Sequence, residues 1–322
     1  MLKQSYYKYI HSVLFIVILI SILYYSSMIF IPKNNLDGFG MRDISANGIL
    51  SEKDDSLDVL ILGDSEAYSS FSPMEIYHHH GITSYVCATS GQPLYYTKSL
   101  LERTLKTQSP QVVVIETNAI FRNFSSAEPL ADKISELFPV FDYHDRWKSL
   151  NSDDFTGTVN YTYNNVLKGF NYNTSILKVN SLDGYMAKTD KKATIPFLNR
   201  YLLDSMVQTC KDRDIEVVLV STPSPVNWDS KKHNCIEHYA HNRDIRYVDL
   251  NDSKLVSIDW QKDTRDAGDH LNYAGAKKVT AFLGKYLQET FILPDHRQDE
   301  FYGAWNKSWE DYKKIVKEYS SK

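Results

Sequence analysis

The longest unbroken apolar stretch of the chain lies close to its start: Val13 to Ile31 reads VLFIVILISILYYSSMIFI, with no charged residue. At about 1.5 Å of rise per helical residue, such a run crosses a hydrocarbon core of about 30 Å. Lys3 and Lys8 precede it, Tyr6, Tyr7 and Tyr9 stand at interface depth, and Pro32-Lys33 closes it. This pattern predicts a membrane helix with a cytoplasmic N-terminus. A cleaved signal peptide is the competing reading, but the run exceeds an ordinary signal core and no A-x-A-like site follows. Lys33 and Arg42 on the far side make flanking charge a weak guide, so orientation also rests on the chemistry below.

Beyond a polar linker the pattern changes to short apolar runs separated by helix-period segments. Leu57 to Leu62 ends in Gly63, as a buried parallel strand does. Further strands are expected at Ser84–Ala88, Val112–Glu116, Val217–Ser221 and Arg246–Asp249. Helices are expected at Tyr95–Lys106, Phe197–Arg213 and Tyr273–Glu289. This alternation predicts an α/β fold of three layers, α/β/α, around a mainly parallel five-stranded sheet. The organisation read from the chain is an anchor at 1–33, a linker at 34–56, an α/β domain at 57–292 and an amphipathic tail helix within 293–322. A stretch from about 121 to 192 interrupts the alternation and reads as an insertion, of the kind that forms lids, substrate walls or partner surfaces.

The 322 residues carry a net charge of −4 and no basic stripe, which argues against nucleic acid as a partner. Tyrosine is frequent, with 23 residues, a composition compatible with a carbohydrate-facing cleft although most such rings pack in strands and helices. Cys87, Cys210 and Cys235 match no zinc spacing, so no metal and no cofactor are expected. Cys210 and Cys235 are the pair that an oxidising compartment would join, while an odd count fits independence from disulfides.

Ligands of a parallel α/β sheet bind beyond the carboxyl ends of its strands, so chemistry is sought there. The first strand runs into Gly63-Asp64-Ser65, which puts a hydroxyl on a strand-to-helix turn with a backbone N–H beside it. The second ends at Thr89-Ser90-Gly91-Gln92, where glycine allows close backbone approach. The third ends at Glu116-Thr117-Asn118. Late in the chain comes Asp266-Ala267-Gly268-Asp269-His270-Leu271-Asn272, just before a helix.

Together these blocks resemble the SGNH, or GDSL, hydrolase family, over roughly residues 57–118 and 215–287. The resemblance implies Ser65 as nucleophile, His270 as its base, and an oxyanion hole from the Ser65 and Gly91 N–H groups and the Asn118 amide. A serine hydroxyl needs an imidazole to take its proton, and a developing oxyanion needs preorganised donors. Two departures stand out: the family's Gly-x-Asn-Asp block is here Glu116-Thr117-Asn118-Ala119, and Ala267 stands three residues before His270. The acid is therefore Asp266, favoured because Gly268 can widen the loop, or Asp269. Asp64 and Gln92, with His144, Arg146 and Trp147 of the insertion, are weaker substrate-binding candidates.

His78-His79-His80 reads as the last turn of a short helix stopped by Gly81 rather than a metal site, with Ser72, Pro73 and Glu75 forming a capping box at its start. The layout of one anchor and an SGNH domain is similar to accessory proteins of polysaccharide O-acylation, including the D-alanyl transfer protein of lipoteichoic acid synthesis. It implies acyl transfer, most simply of acetyl, to a cell-surface polysaccharide or teichoic acid-like polymer, beside a membrane-bound O-acyltransferase. An esterase acting on the same polymers and a non-catalytic binding or assembly module are the alternatives.

Overall fold

The computed structural model describes residues 2–36 and 38–320, without the side chains of residues 2–6 and Ser320, so the flanking Lys3 and Tyr6 lie outside the described side chains. The chain divides into two compact units, residues 1–44 with 125–163, and residues 45–124 with 164–322.

The larger unit is built on five parallel strands, β1 (Val59–Gly63), β2 (Ser84–Ala88), β3 (Val112–Glu116), β4 (Glu216–Ser221) and β5 (Arg246–Asp249). Their order, β2-β1-β3-β4-β5, is that of a doubly wound sheet. Strand side chains alternate between faces, so each strand feeds two cores. Leu60, Leu62, Val113, Ile115, Val217 and Leu219 face one. Val59, Ile61, Val112, Val114, Val218 and Val220 face the other. On the first side pack the helices α4 (Leu94–Thr104), α6 (Phe197–Lys211) and α7 (Ser230–Arg243), through residues such as Leu101, Leu203 and Ile236; on the second pack α2 (Ser65–Ser70) and α8 (Tyr273–Thr290), through Ala67 and Val279. The three-layer architecture expected from the alternation is the one observed.

The tail belongs to this unit. Trp305 and Tyr312 of the helix Gly303–Ser320 are buried, and His296 Nε2 lies 3.0 Å from Asp58 Oδ1 ahead of β1. Ser72 begins the helix α3 (Pro73–His80), but the capping box does not form. The Ser72 N–H donates to Thr280 Oγ1 at 3.0 Å, and the Ser72 hydroxyl lies 3.1 Å from that of Tyr312. Glu75 accepts from Tyr273 at 2.6 Å and from Tyr312 at 3.1 Å. A buried tyrosine cluster thus takes both capping side chains. The three histidines diverge, as adjacent helical positions do: His78 stacks on Trp309 with ring centres 4.1 Å apart, His79 lies 3.6 Å from Glu75, and His80 Nδ1 lies 2.9 Å from Gln288 Oε1. All three cysteines are free thiols, and burial pushes Cys87 and Cys210 up to about 12.

Parts of the linker and insertion are also integral here. Ala46 and Ile49 of the 34–56 stretch are buried. Residues 164–170 return to the sheet edge, where the Val86 N–H donates to the Lys168 carbonyl at 2.9 Å. Gly169 makes this possible: with φ of +87°, it lies so close that a Cβ would stand 1.9 Å from the Val86 carbonyl oxygen. Lys168 is fully buried and pairs with Glu52 at 2.6 Å.

The smaller unit contains the N-terminal helix α1 (Leu2–Phe30), of which Tyr7–Phe30 is long and apolar enough to cross a membrane. Residues 125–163 pack around its C-terminal end. The Val140 N–H donates to Ser27 Oγ at 3.3 Å, and the Asn160 N–H to the Lys33 carbonyl at 2.8 Å. The last carbonyls of a helix have no partner within it. Here Lys33 donates to the Met28 carbonyl and Arg146 to that of Phe30. Arg146 in turn pairs with buried Asp154 at 2.7 Å.

Candidate active site

The carboxyl ends of β1 to β3 and the 266–272 loop carry the polar groups that the sequence singles out. Ser65 is the first residue of its helix, and Asp64 is the N-cap, accepting from the Glu66 N–H at 3.0 Å. The other Asp64 oxygen accepts from Asn118 Nδ2 at 3.1 Å and from Arg122 Nη2 at 2.8 Å. Asp64 thus ties the Ser65 turn to the turn after β3. That second turn is held in place by Asn199, whose amide donates to the Ile120 and Arg122 carbonyls at 2.8 and 2.9 Å.

Gly91 has φ of +61°, the left-handed conformation that glycine tolerates best. Arg122 Nη1 stands 3.7 Å from where a Cβ on Gly91 would lie. Gly91, Asn118 and Arg122 therefore converge on the side of Asp64, next to Ser65.

The late block folds into a tight loop. Ala267 and Gly268 both have positive φ, +60° and +97°, which turns the chain back so that Asp266 lies under His270. An alanine in this region costs about 1–2 kcal/mol, so the surroundings must hold it. Asp266 Oδ1 accepts from the His270 N–H at 2.6 Å, and Oδ2 lies 2.6 Å from His270 Nδ1. Asp269 Oδ2 is 3.6 Å from the same nitrogen. An imidazole held through Nδ1 presents Nε2 outward, the geometry of an oriented base.

The loop after β4 clamps this block. The Ser224 hydroxyl lies 2.9 and 3.0 Å from the Gly268 and Asp269 carbonyls. The Asn227 amide donates to Glu66 at 2.6 Å and to Asp269 at 2.5 Å. It therefore joins the residue after Ser65 to the residue before His270. A carboxylate oxygen of Glu66, one of Asp269 and a ring nitrogen of His270 lie within 4.8 Å of one another.

Beneath these groups sit three buried carboxylates, Asp64, Glu66 and Glu116. Burial raises the Glu66 carboxyl well above the usual range, and Glu116 and Asp64 add to it. Burial and then Asp64 do the same to Glu116, although the Asn118 N–H donates to it at 3.0–3.1 Å. Lys232 is drawn down by burial and lies 5.4 Å from the Phe121 ring.

Of the weaker substrate-binding candidates, Asp64 and Gln92 are fully buried, with Gln92 bonded to Thr89 and Thr97 at 3.0 Å each. Arg146 is buried and committed to Asp154 and the end of α1. His144 and Trp147 are exposed in the smaller unit, His144 Nδ1 lying 3.0 Å from the Phe141 carbonyl. Sequence reasoning missed Glu66, Arg122, Asn199 and Asn227. For Glu66 and Arg122, placement next to Ser65 and four residues after Asn118 was the available signal; for Asn199 and Asn227 there was none.

No family model matches the chain, and no curated protein does. Among solved structures the chain is similar to the lipase/acylhydrolase of Enterococcus faecalis, at 11% identity over 74% of this chain and 98% of that one, with a TM-score of 0.40. It is likewise similar to a GDSL-like lipase of Bacteroides thetaiotaomicron, at 15% identity over 72% and 88%, with a TM-score of 0.36. A third is the psychrotrophic esterase EstA of Pseudoalteromonas sp., at 10% identity over 72% and 96%, with a TM-score of 0.35.

Proposed function

We propose that this chain is a membrane-anchored serine acyl-transfer enzyme whose catalytic face lies outside the cytoplasm. The observation that carries the reading is the two-point grip of Asp266 on His270, on a loop joined through Asn227 to the residue after Ser65. In this reading Ser65 Oγ attacks an acyl carbonyl while His270 Nε2 takes its proton. Asp266 fixes the tautomer and stabilises the imidazolium. The Ser65 and Gly91 N–H groups and the Asn118 amide receive the oxyanion, each worth about 3 kcal/mol of barrier. Collapse of the tetrahedral intermediate expels the donor group, which takes the proton from His270, and leaves an acyl-Ser65 ester. A sugar hydroxyl, deprotonated by His270, then attacks that ester and restores the serine.

The anchor and the outward face favour a cell-surface polysaccharide or teichoic acid-like polymer as acceptor and acetyl as the group moved, handed on from a membrane-bound O-acyltransferase. The test uses the full chain in detergent with an acetyl-ester reporter and an oligosaccharide acceptor. Transfer predicts a mass increment on Ser65 that decays faster with acceptor and yields acetylated sugar. Decay to acetate alone identifies an esterase, and absence of any Ser65 adduct together with an unaffected Ser65→Ala variant overturns both.

A further inference from the structure

The helix α5 (Glu128–Leu137) has no buried residue. Leu130, Ile134 and Leu137 recur at the spacing of one helical face, whereas Glu128, Asp132 and Glu136 fall on the opposite one. Leu130 and Leu137 are 64% and 71% exposed, and Phe141 and Phe155, further along the same segment, are 47% and 61% exposed. Five large apolar side chains left exposed between positions 130 and 155 call for a cover.

The segment is fastened to α1 below the helix end. Val140 is bonded to Ser27, three residues short of Phe30 and so about 4–5 Å back along the helix axis. Ser27 is buried beside the segment and Leu23, Ile29 and Phe30 are half-buried, while the apolar residues from Val13 to Ile20 stand exposed. Carbonyls at the end of a membrane helix need partners where water is scarce, and Arg146, neutralised by Asp154, supplies one to Phe30. A segment locked to the apolar span at this depth carries Leu137 and Phe141, its nearest neighbours in sequence, to the boundary between headgroups and acyl chains.

We propose that residues 125–163 are a bilayer-seated collar around the outer end of α1, with Leu130, Ile134, Leu137 and Phe141 immersed in the lipid interface; this rests on the membrane-anchor reading above. Its acidic residues lie on the far side of α5, so seating comes from apolar insertion and not from attraction to anionic lipid. The occupant is lipid rather than a second protein because the segment is bonded at Val140 to a helix whose exposed apolar residues, in that same reading, are covered by lipid.

The test reconstitutes the full chain, in a Cys235→Ser background, into phosphatidylcholine vesicles with a fluorescent label on Leu137→Cys or, separately, on Ile18→Cys. Cys87 and Cys210 are buried and stay unlabelled. Seating predicts that lipid-borne quenchers near the headgroup quench the Leu137 label, that aqueous iodide quenches it about threefold less than in the denatured chain, and that salt changes neither. Full iodide quenching at position 137 with lipid quenching intact at position 18 overturns the collar and leaves the anchor standing. A Leu137 label shielded from both quenchers means cover by another copy and overturns lipid seating. Loss of lipid quenching at position 18 overturns the anchor itself.

Discussion

The five strands and α5 use apolar residues in opposite ways. β1, β2 and β3 are buried along their whole length, and the polar groups that matter stand just past their ends. The helix α5 has an equally clear apolar pattern and buries none of it. The strands find their cover within their own unit, whereas α5 leaves its apolar face open, for lipid in the proposal above. An apolar period thus reports that a face will be covered, and not by what.

The largest effect is expected at the sheet edge that carries the proposed Ser65 and His270 pair. Replacing the acid that holds His270 should cost far more than replacing its neighbour: Asp266→Asn is expected to lower kcat/KM by about 100- to 10,000-fold and Asp269→Asn by less than about tenfold. Steady-state kinetics on the two variants decide this, and equal losses would assign the role to the pair. In the smaller unit the corresponding weak point is Arg146. Arg146→Ala leaves Asp154 buried without its partner, a loss of about 3–5 kcal/mol, read as faster amide exchange across residues 125–163. Unchanged exchange there would mean that the pair is not what holds the segment.

A smaller effect is expected at the clamp. Asn227→Ala should lower kcat by about 10- to 100-fold with little change in KM, because it loosens the spacing between the Ser65 and His270 turns without touching substrate. Recovery in Asn227→Gln would support positioning, and a matching fall in thermal stability would point to a structural role alone.

The smallest effect is one of pH. A carboxyl raised by burial, such as Glu66, holds in the folded chain a proton that the unfolded chain releases. Its contribution to stability therefore falls as pH rises from the ordinary carboxyl range, about 4.3, up through the raised value. Glu66→Gln should flatten the decline in Tm with rising pH, and parallel Tm profiles for both proteins would contradict it.

What could be read beforehand follows the range of each interaction. Strands of four to six residues declare themselves through local apolar runs, and Gly63, Gly91 and Gly268 mark turns because their backbone demands are local. The turn of Asp266 under His270 spans only five residues and was legible from Gly268. By contrast Asn227 meets Glu66 across 161 positions, and no spacing rule reaches that far. The capping box at Ser72 and Glu75 failed for the same reason, because Tyr312 lies 240 positions from Ser72 and outcompetes a local contact.

The bond from Val86 to Lys168 has a practical consequence for anyone trimming this protein. β2 is an outer strand, and a bare outer strand is a template for pairing with another molecule. The returning segment occupies part of that template, so a deletion of residues 125–163 leaves the strand shielded. One that continues to 192 strips the shield and invites aggregation.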